Sequence, residues 1–267
     1  MGRADQLLTE LRERFLPELA TGALRVSSID RPNYAALAQA CTALESAVDA
    51  VNFQLVEARG LLRRLFWRRP DPALAVLRRQ LEGVSDRWED VRAAAASIER
   101  CFATIEQAEK RAFLQVGLTV KDFQPQFCKF SEWLDLASQQ LTPDHGQFQQ
   151  RSFDYADVQL AEARARLLLE ELQRLEVTRS SLIEMLNIEL ARSLNVWEIR
   201  TGELLEHCEH GASSTRMVVD LMPKHIALRR LVHKVGAICD QLQHQEETVR
   251  DIANELFHPR LMQQTGN

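Results

Sequence analysis

The chain has 267 residues, 45% hydrophobic and 27% charged, with a net charge of −5. That hydrophobic content excludes a disordered chain, and the acidic balance disfavours nucleic acid as a partner of the whole surface. Five scattered cysteines (Cys41, Cys101, Cys128, Cys208 and Cys239) without a CxxC exclude a disulfide framework and a zinc site, and most are expected as small buried residues in a reducing compartment.

The N-terminal stretch MGRADQLLTELRERF alternates charge with leucine and lacks the apolar run of a signal peptide. Gly2 suits myristoylation, but position 6 is Gln where the motif wants Ser or Thr. A short helix is predicted near 3–20. No stretch reaches 18 uncharged apolar residues, so no membrane-spanning helix is expected.

Glycine and proline then divide the chain. Residues 33–59 and 84–116 contain neither, and 55 residues separate Gly146 from Gly202. Strand-like alternation is missing. Long helices are predicted near 34–69, 73–122, 153–210 and 214–257, with a short one near 126–141. The third would reach about 80 Å at 1.5 Å per residue. In the second, Leu74, Leu77, Leu81, Val84, Trp88 and Val91 form an apolar stripe. In the third, Leu168, Leu172, Leu175, Leu182 and Leu186 form a heptad seam with Arg179 at one position, and Leu190, Leu194 and Trp197 shift its phase.

Each stripe needs a partner to bury it. The expected fold is therefore all-α: an elongated bundle of four long antiparallel helices, built as two helical hairpins, with short N-terminal and middle helices. One domain spans 1–267, with a first hairpin at 33–122, a short helix and connection at 123–152, and a second hairpin at 153–258. Asp71 as N-cap and Pro72 as first helical residue place the first reversal at 69–71. Gly211 suits the end of the third helix, Ser213 or Ser214 can cap the fourth, and Pro223 kinks that helix or marks its start. The polar segment 141–154 is the expected hinge. Long helical hairpins of this kind resemble, in shape, BAR-type membrane scaffolds and the subunits of helical bacterial cytolysins.

The strongest charge signal lies at the first reversal. Residues 58–81 hold seven arginines (Arg59, Arg63, Arg64, Arg68, Arg69, Arg78 and Arg79) against one acid, Asp71, so this window carries +6 and the remainder −11. Phe66 falls on the inward face, whereas Trp67 lies four residues after Arg63 and three after Arg64, on the arginines' own face. Two readings stand side by side. The tip meets phosphates, lipid headgroups or an acidic protein. Alternatively, its arginines stabilise the helix dipole and pair with acids such as Glu57, Glu82 or Asp86.

A second cluster, ELLEHCEHG, puts Glu203, Glu206, His207 and His210 on one helical face. Its order is Glu-x-x-x-His and no matching set occurs elsewhere, so capping chemistry is the expected role and neither metal nor cofactor is expected. Four further histidines, His225, His233, His244 and His258, share no face and are expected to be packed or solvated. Phe123, Phe127, Phe130 and Trp133 serve either as a docking patch or, the expected role, as a cap on the bundle. Walker A, GxGxxG, GxSxG, HExxH and EF-hand patterns are all missing. The reading is a non-enzymatic, cytoplasmic helical scaffold that binds protein partners, as a homo- or hetero-oligomer. An anionic membrane surface is the second expected partner, met through the 59–79 tip as a peripheral or cytolysin-like component, and nucleic acid is disfavoured.

Overall fold

The structure, a computed structural model, describes residues 2–57, 72–139, 145–210 and 214–257. Among these the regular structure is helical throughout, so the fold is all-α. The helices are α1 (Arg3–Glu10), α2 (Leu16–Ser27), α3 (Tyr34–Asp49), α4 (Gln54–Glu57), α5 (Pro72–Gln139), α6 (His145–Glu184), α7 (Ala191–Glu209) and α8 (Thr215–Phe257). π-Helical turns join α1 to α2 (Leu11–Phe15) and α6 to α7 (Met185–Leu190). No helix among the described residues is long and apolar enough to cross a membrane.

Several boundaries depart from the sequence reading, each for a local reason. The N-terminal helix passes residue 20 and ends at Ser27. Gly22 lies inside it, at a position where a side chain has no room. A Cβ there would lie 2.7 Å from Val116 Cγ2.

The helix expected over 34–69 starts as predicted but stops at Asp49. The Asn33 side chain caps its start, accepting from the Ala36 amide at 3.4 Å. Val51 and Phe53 are both buried, and two positions two apart cannot share one helical face. The backbone therefore opens at Asn52. Its amide donates to Gln80 Oε1 at 3.1 Å, and its side chain accepts from the Gln54 amide at 3.0 Å.

Pro72 begins α5, but the predicted end at 122 and separate helix at 126–141 merge into one helix running to Gln139. Pro125 faces solvent while Phe123, Phe127 and Phe130 around it are buried. The carbonyl that loses its donor can then meet water, and packing holds both sides of the break. Pro223 is likewise exposed inside α8, which starts at Thr215. Residues 145–154 of the expected hinge are helical, so the connection before α6 is shorter than predicted. Asp71, Gly211 and Ser213 lie outside the described residues. Ser214 precedes α8, but its hydroxyl donates to the Val56 carbonyl at 3.0 Å.

The chain forms two compact units: Met1–Arg31, Phe102–Glu176 and His244–Asn267 make the first, and Pro32–Cys101 and Val177–Gln243 the second. The core of the first is aromatic. Phe15 lies 5.5 Å from Phe123 and 5.1 Å from Phe127, and Phe130 lies 4.5 Å from Tyr155, ring centre to ring centre. The Tyr155 hydroxyl donates to the Phe127 carbonyl at 3.1 Å. Arg12–Asp154 (3.2 Å) and Arg151–Asp5 (2.8 Å) tie the N-terminal segment to α6.

The core of the second unit is mainly aliphatic. Leu77, Val84 and Val91 of α5 are buried with Leu182, Leu194, Trp197 and Leu204. Ser85 donates to Glu198 at 2.9 Å, and Asn187 to Glu99 at 2.7 Å. Numbers that rise along one helix while falling along the other show that α5 runs antiparallel to the α6–α7 stretch in this unit. Each fully buried leucine contributes about 1.5–3 kcal/mol. The heptad seam from Leu168 to Leu186 is buried as its spacing predicted, Arg179 included. The phase shift after it coincides with the π turn, where one extra residue per turn rotates the helix so that Leu190, Leu194 and Trp197 still point inward.

Candidate functional site

Most of the basic tip (Arg59, Arg63, Arg64, Phe66, Trp67, Arg68 and Arg69) lies outside the described residues. Arg78 and Arg79 are on the first turns of α5, both exposed. Arg78 is ion-paired with Glu209 near the end of α7. This is intramolecular neutralisation of the kind the sequence allowed, with a different acid from those expected. As an exposed pair it contributes about 0–1 kcal/mol. Its neighbour Gln80 holds the Asn52 amide, so this end of α5 is anchored to the segment that follows α3.

The ELLEHCEHG cluster is a helix end. Glu203 pairs with Arg200 at 2.7 Å, one turn before it. His210 caps α7, and its Nδ1–H donates to the Glu206 carbonyl at 2.7 Å. Among the described residues no group of three His, Cys, Asp or Glu side chains is placed to hold a metal ion. Phe123, Phe127 and Phe130 are core residues of the first unit, not a docking patch, with Trp133 against Phe130 at 5.4 Å.

Cys41, Cys208 and Cys239 are buried, Cys101 is partly buried and Cys128 is exposed. Burial pushes the Cys41 and Cys239 thiols up to about 12, which keeps them protonated and poor nucleophiles.

Sequence reasoning passed over two features. The first is His225. It lies in the second unit, 9% exposed, edge-on to Phe53 at 5.3 Å and 6.1 Å from Trp197. Its Nδ1 and the Trp197 indole nitrogen are buried with no hydrogen-bond partner among the described residues. Burial holds its pKa below the usual imidazole value. Asp49 opposes that shift and Arg229 reinforces it. Because the folded pKa is depressed, the stabilising effect of neutral His225 is present above about pH 6.5 and declines as pH falls toward the folded value. Urea unfolding of the second unit between pH 8 and 5, about the His range, is expected to show falling stability in wild type and a flatter profile in His225→Phe. Equal slopes would exclude His225 as the cause.

The second feature is a set of outward apolar positions at helical spacing. Val219, Met222 and Ile226 follow i, i+3, i+7 along α8, and Val196 and Ile199 stand three apart on α7, all exposed. The sequence carried this spacing, but burial alone tells an outward row from the core. No family model, curated protein or solved structure matches this chain.

Proposed function

We propose that the protein is a non-enzymatic helical scaffold of the cytoplasm, which binds other helical chains along the outer faces of its long helices. In this reading the whole chain is a bundle of four long antiparallel helices arranged as two hairpins. One observation carries the proposal: apolar side chains recur at helical spacing on the exposed faces of α7 and α8, where a folded monomer gains nothing from them. The chemistry of the chain agrees. Burial keeps the Cys41 and Cys239 thiols protonated, and His210 caps the end of α7.

Crosslinking in native lysate followed by mass spectrometry tests it. Wild type is expected to capture a helical protein that Val196→Glu plus Ile199→Glu, or Val219→Glu plus Ile226→Glu, loses by at least about tenfold, as 1.4 kcal/mol or more of lost contact requires. Capture unaffected by both pairs would overturn the reading.

The basic segment supports a second reading, an anionic lipid surface met through residues 59–79. Arg79 is exposed there beside the neutralised Arg78. Sedimentation with phosphatidylserine vesicles at low salt separates the two readings. Lipid binding requires that wild type sediments and that Arg63→Glu plus Arg64→Glu does not.

A further inference from the structure

One helix carries two apolar rows. In the first unit, α6 buries Tyr155, Val158, Ala161, Ala165 and Leu168. On its opposite side Phe153, Ala156, Leu160, Ala163 and Leu167 are all exposed, at 3-4-3-4 spacing. Phe153 is 70% exposed, Leu160 49% and Leu167 43%. This is the a/d pattern of a coiled-coil seam, on the side away from the core. It extends over about 21 Å of helix and ends at the exposed Glu170.

We propose that this face pairs with the same face of a second copy, antiparallel, about a two-fold axis near residues 161–162. Two features of the row select this occupant. The first is shape. Large and small side chains alternate along the row, so it complements itself only in the antiparallel sense. Leu160 of one copy then packs on Ala163 of the other, and Leu167 on Ala156. A parallel pair would stack Leu160 on Leu160 and Ala163 on Ala163, leaving alternate layers crowded and hollow.

The second feature is charge. Asp157 and Arg164 flank the row on the same side, one heptad apart. The antiparallel register that matches large to small also brings Asp157 of each copy beside Arg164 of the other, twice per dimer. A parallel pair would set Arg164 beside Gln159 instead. Arg164 already reaches Glu255 at 3.0 Å and is one-third exposed, so a second carboxylate completes a bridge without burying an unpaired charge. On the neighbouring flank Arg166 is held by Glu162, and Gln159 is exposed.

The row is short, so the dimer is weak, with a dissociation constant on the order of 10–100 µM. The inference deepens the scaffold reading for one face and rests on it. Sedimentation equilibrium on the full chain tests it, over about 5–500 µM to bracket that constant. Wild type is expected to show a reversible monomer–dimer equilibrium. Leu160→Glu should weaken it at least tenfold. Asp157→Arg and Arg164→Asp, each alone, should do the same, because each places like charges across the axis. An equimolar mixture of those two variants should recover association, since only the heterodimer restores both pairs.

The altered side chains are exposed or half-exposed, and an unchanged helical circular dichroism melt confirms that each variant is folded. A wild type that stays monomeric throughout would overturn the proposal. So would a Leu160→Glu protein that dimerises as wild type does, or a mixture no more associated than its parts. The α7 and α8 variants address other faces, so loss of the dimer with capture intact would reject this pairing and leave the scaffold reading standing.

Discussion

Trp197→Ala is expected to destabilise the second unit by about 3–5 kcal/mol, the cost of an aromatic side chain lost from a packed core. Trp197 is fully buried, at the position where the seam resumes after the π turn. Its ring also forms one wall of the His225 site, so truncation would leave that imidazole facing a void. Trp197→Phe should cost less, because it removes an indole N–H that has no partner among the described residues. The two compact units make a single two-state melt an unsafe measure, so local amide exchange is preferable. Amides of α3 and α7 should exchange at least about 100-fold faster in Trp197→Ala, and those of α2 should change far less. Uniform acceleration would mean that the two units unfold as one.

Phe15→Ala is expected to have the mirror effect on the first unit, again about 3–5 kcal/mol. Phe15 is 0% exposed and touches two phenylalanines of α5, one of them edge to face. The polar ties of the N-terminal segment are ion pairs such as Arg12–Asp154, which is partly exposed and adds little alone, and its other apolar anchors, Leu11 and Leu19, are smaller. Loss of the ring should therefore release residues 3–27 before the rest of the unit, seen as early proteolysis after Arg12, Arg14 or Arg25. Cleavage at wild-type rates would show that Leu11 and Leu19 hold the segment without it.

How far the sequence could be read depended on whether a residue's role is local. The leucine seam of α6 and the start of α5 at Pro72 were legible because spacing and ring geometry act within a few residues. The helix limits expected near 20 and 122 fail at Gly22 and Pro125, and Pro223 left two readings open. A solvent-facing proline is tolerated and a glycine against Val116 is required, and both depend on neighbours remote in sequence. The same holds at Asn52, where burial of Val51 and Phe53 outweighs continuous helix. Among candidate sites, the phenylalanines near 123–130 read correctly as packing, whereas His225 looked like any scattered histidine until Phe53 and Trp197 closed on it. The outward row of α6 is plain in the letters, but a second heptad acquires meaning only once the first is known to be occupied.

The π turn at Met185–Leu190 also bears on how this chain tolerates change in length. Elsewhere in a packed helix, deleting one residue swings everything downstream by about 100° and turns the core face outward. Here the helix already holds a spare residue, and Ile188 within it is 59% exposed. Removing that position would tighten the turn to ordinary α-helix and leave Leu190, Leu194 and Trp197 aimed where they were. The stretch is a splice point, where the chain can lose a residue while its later turns keep their inward side.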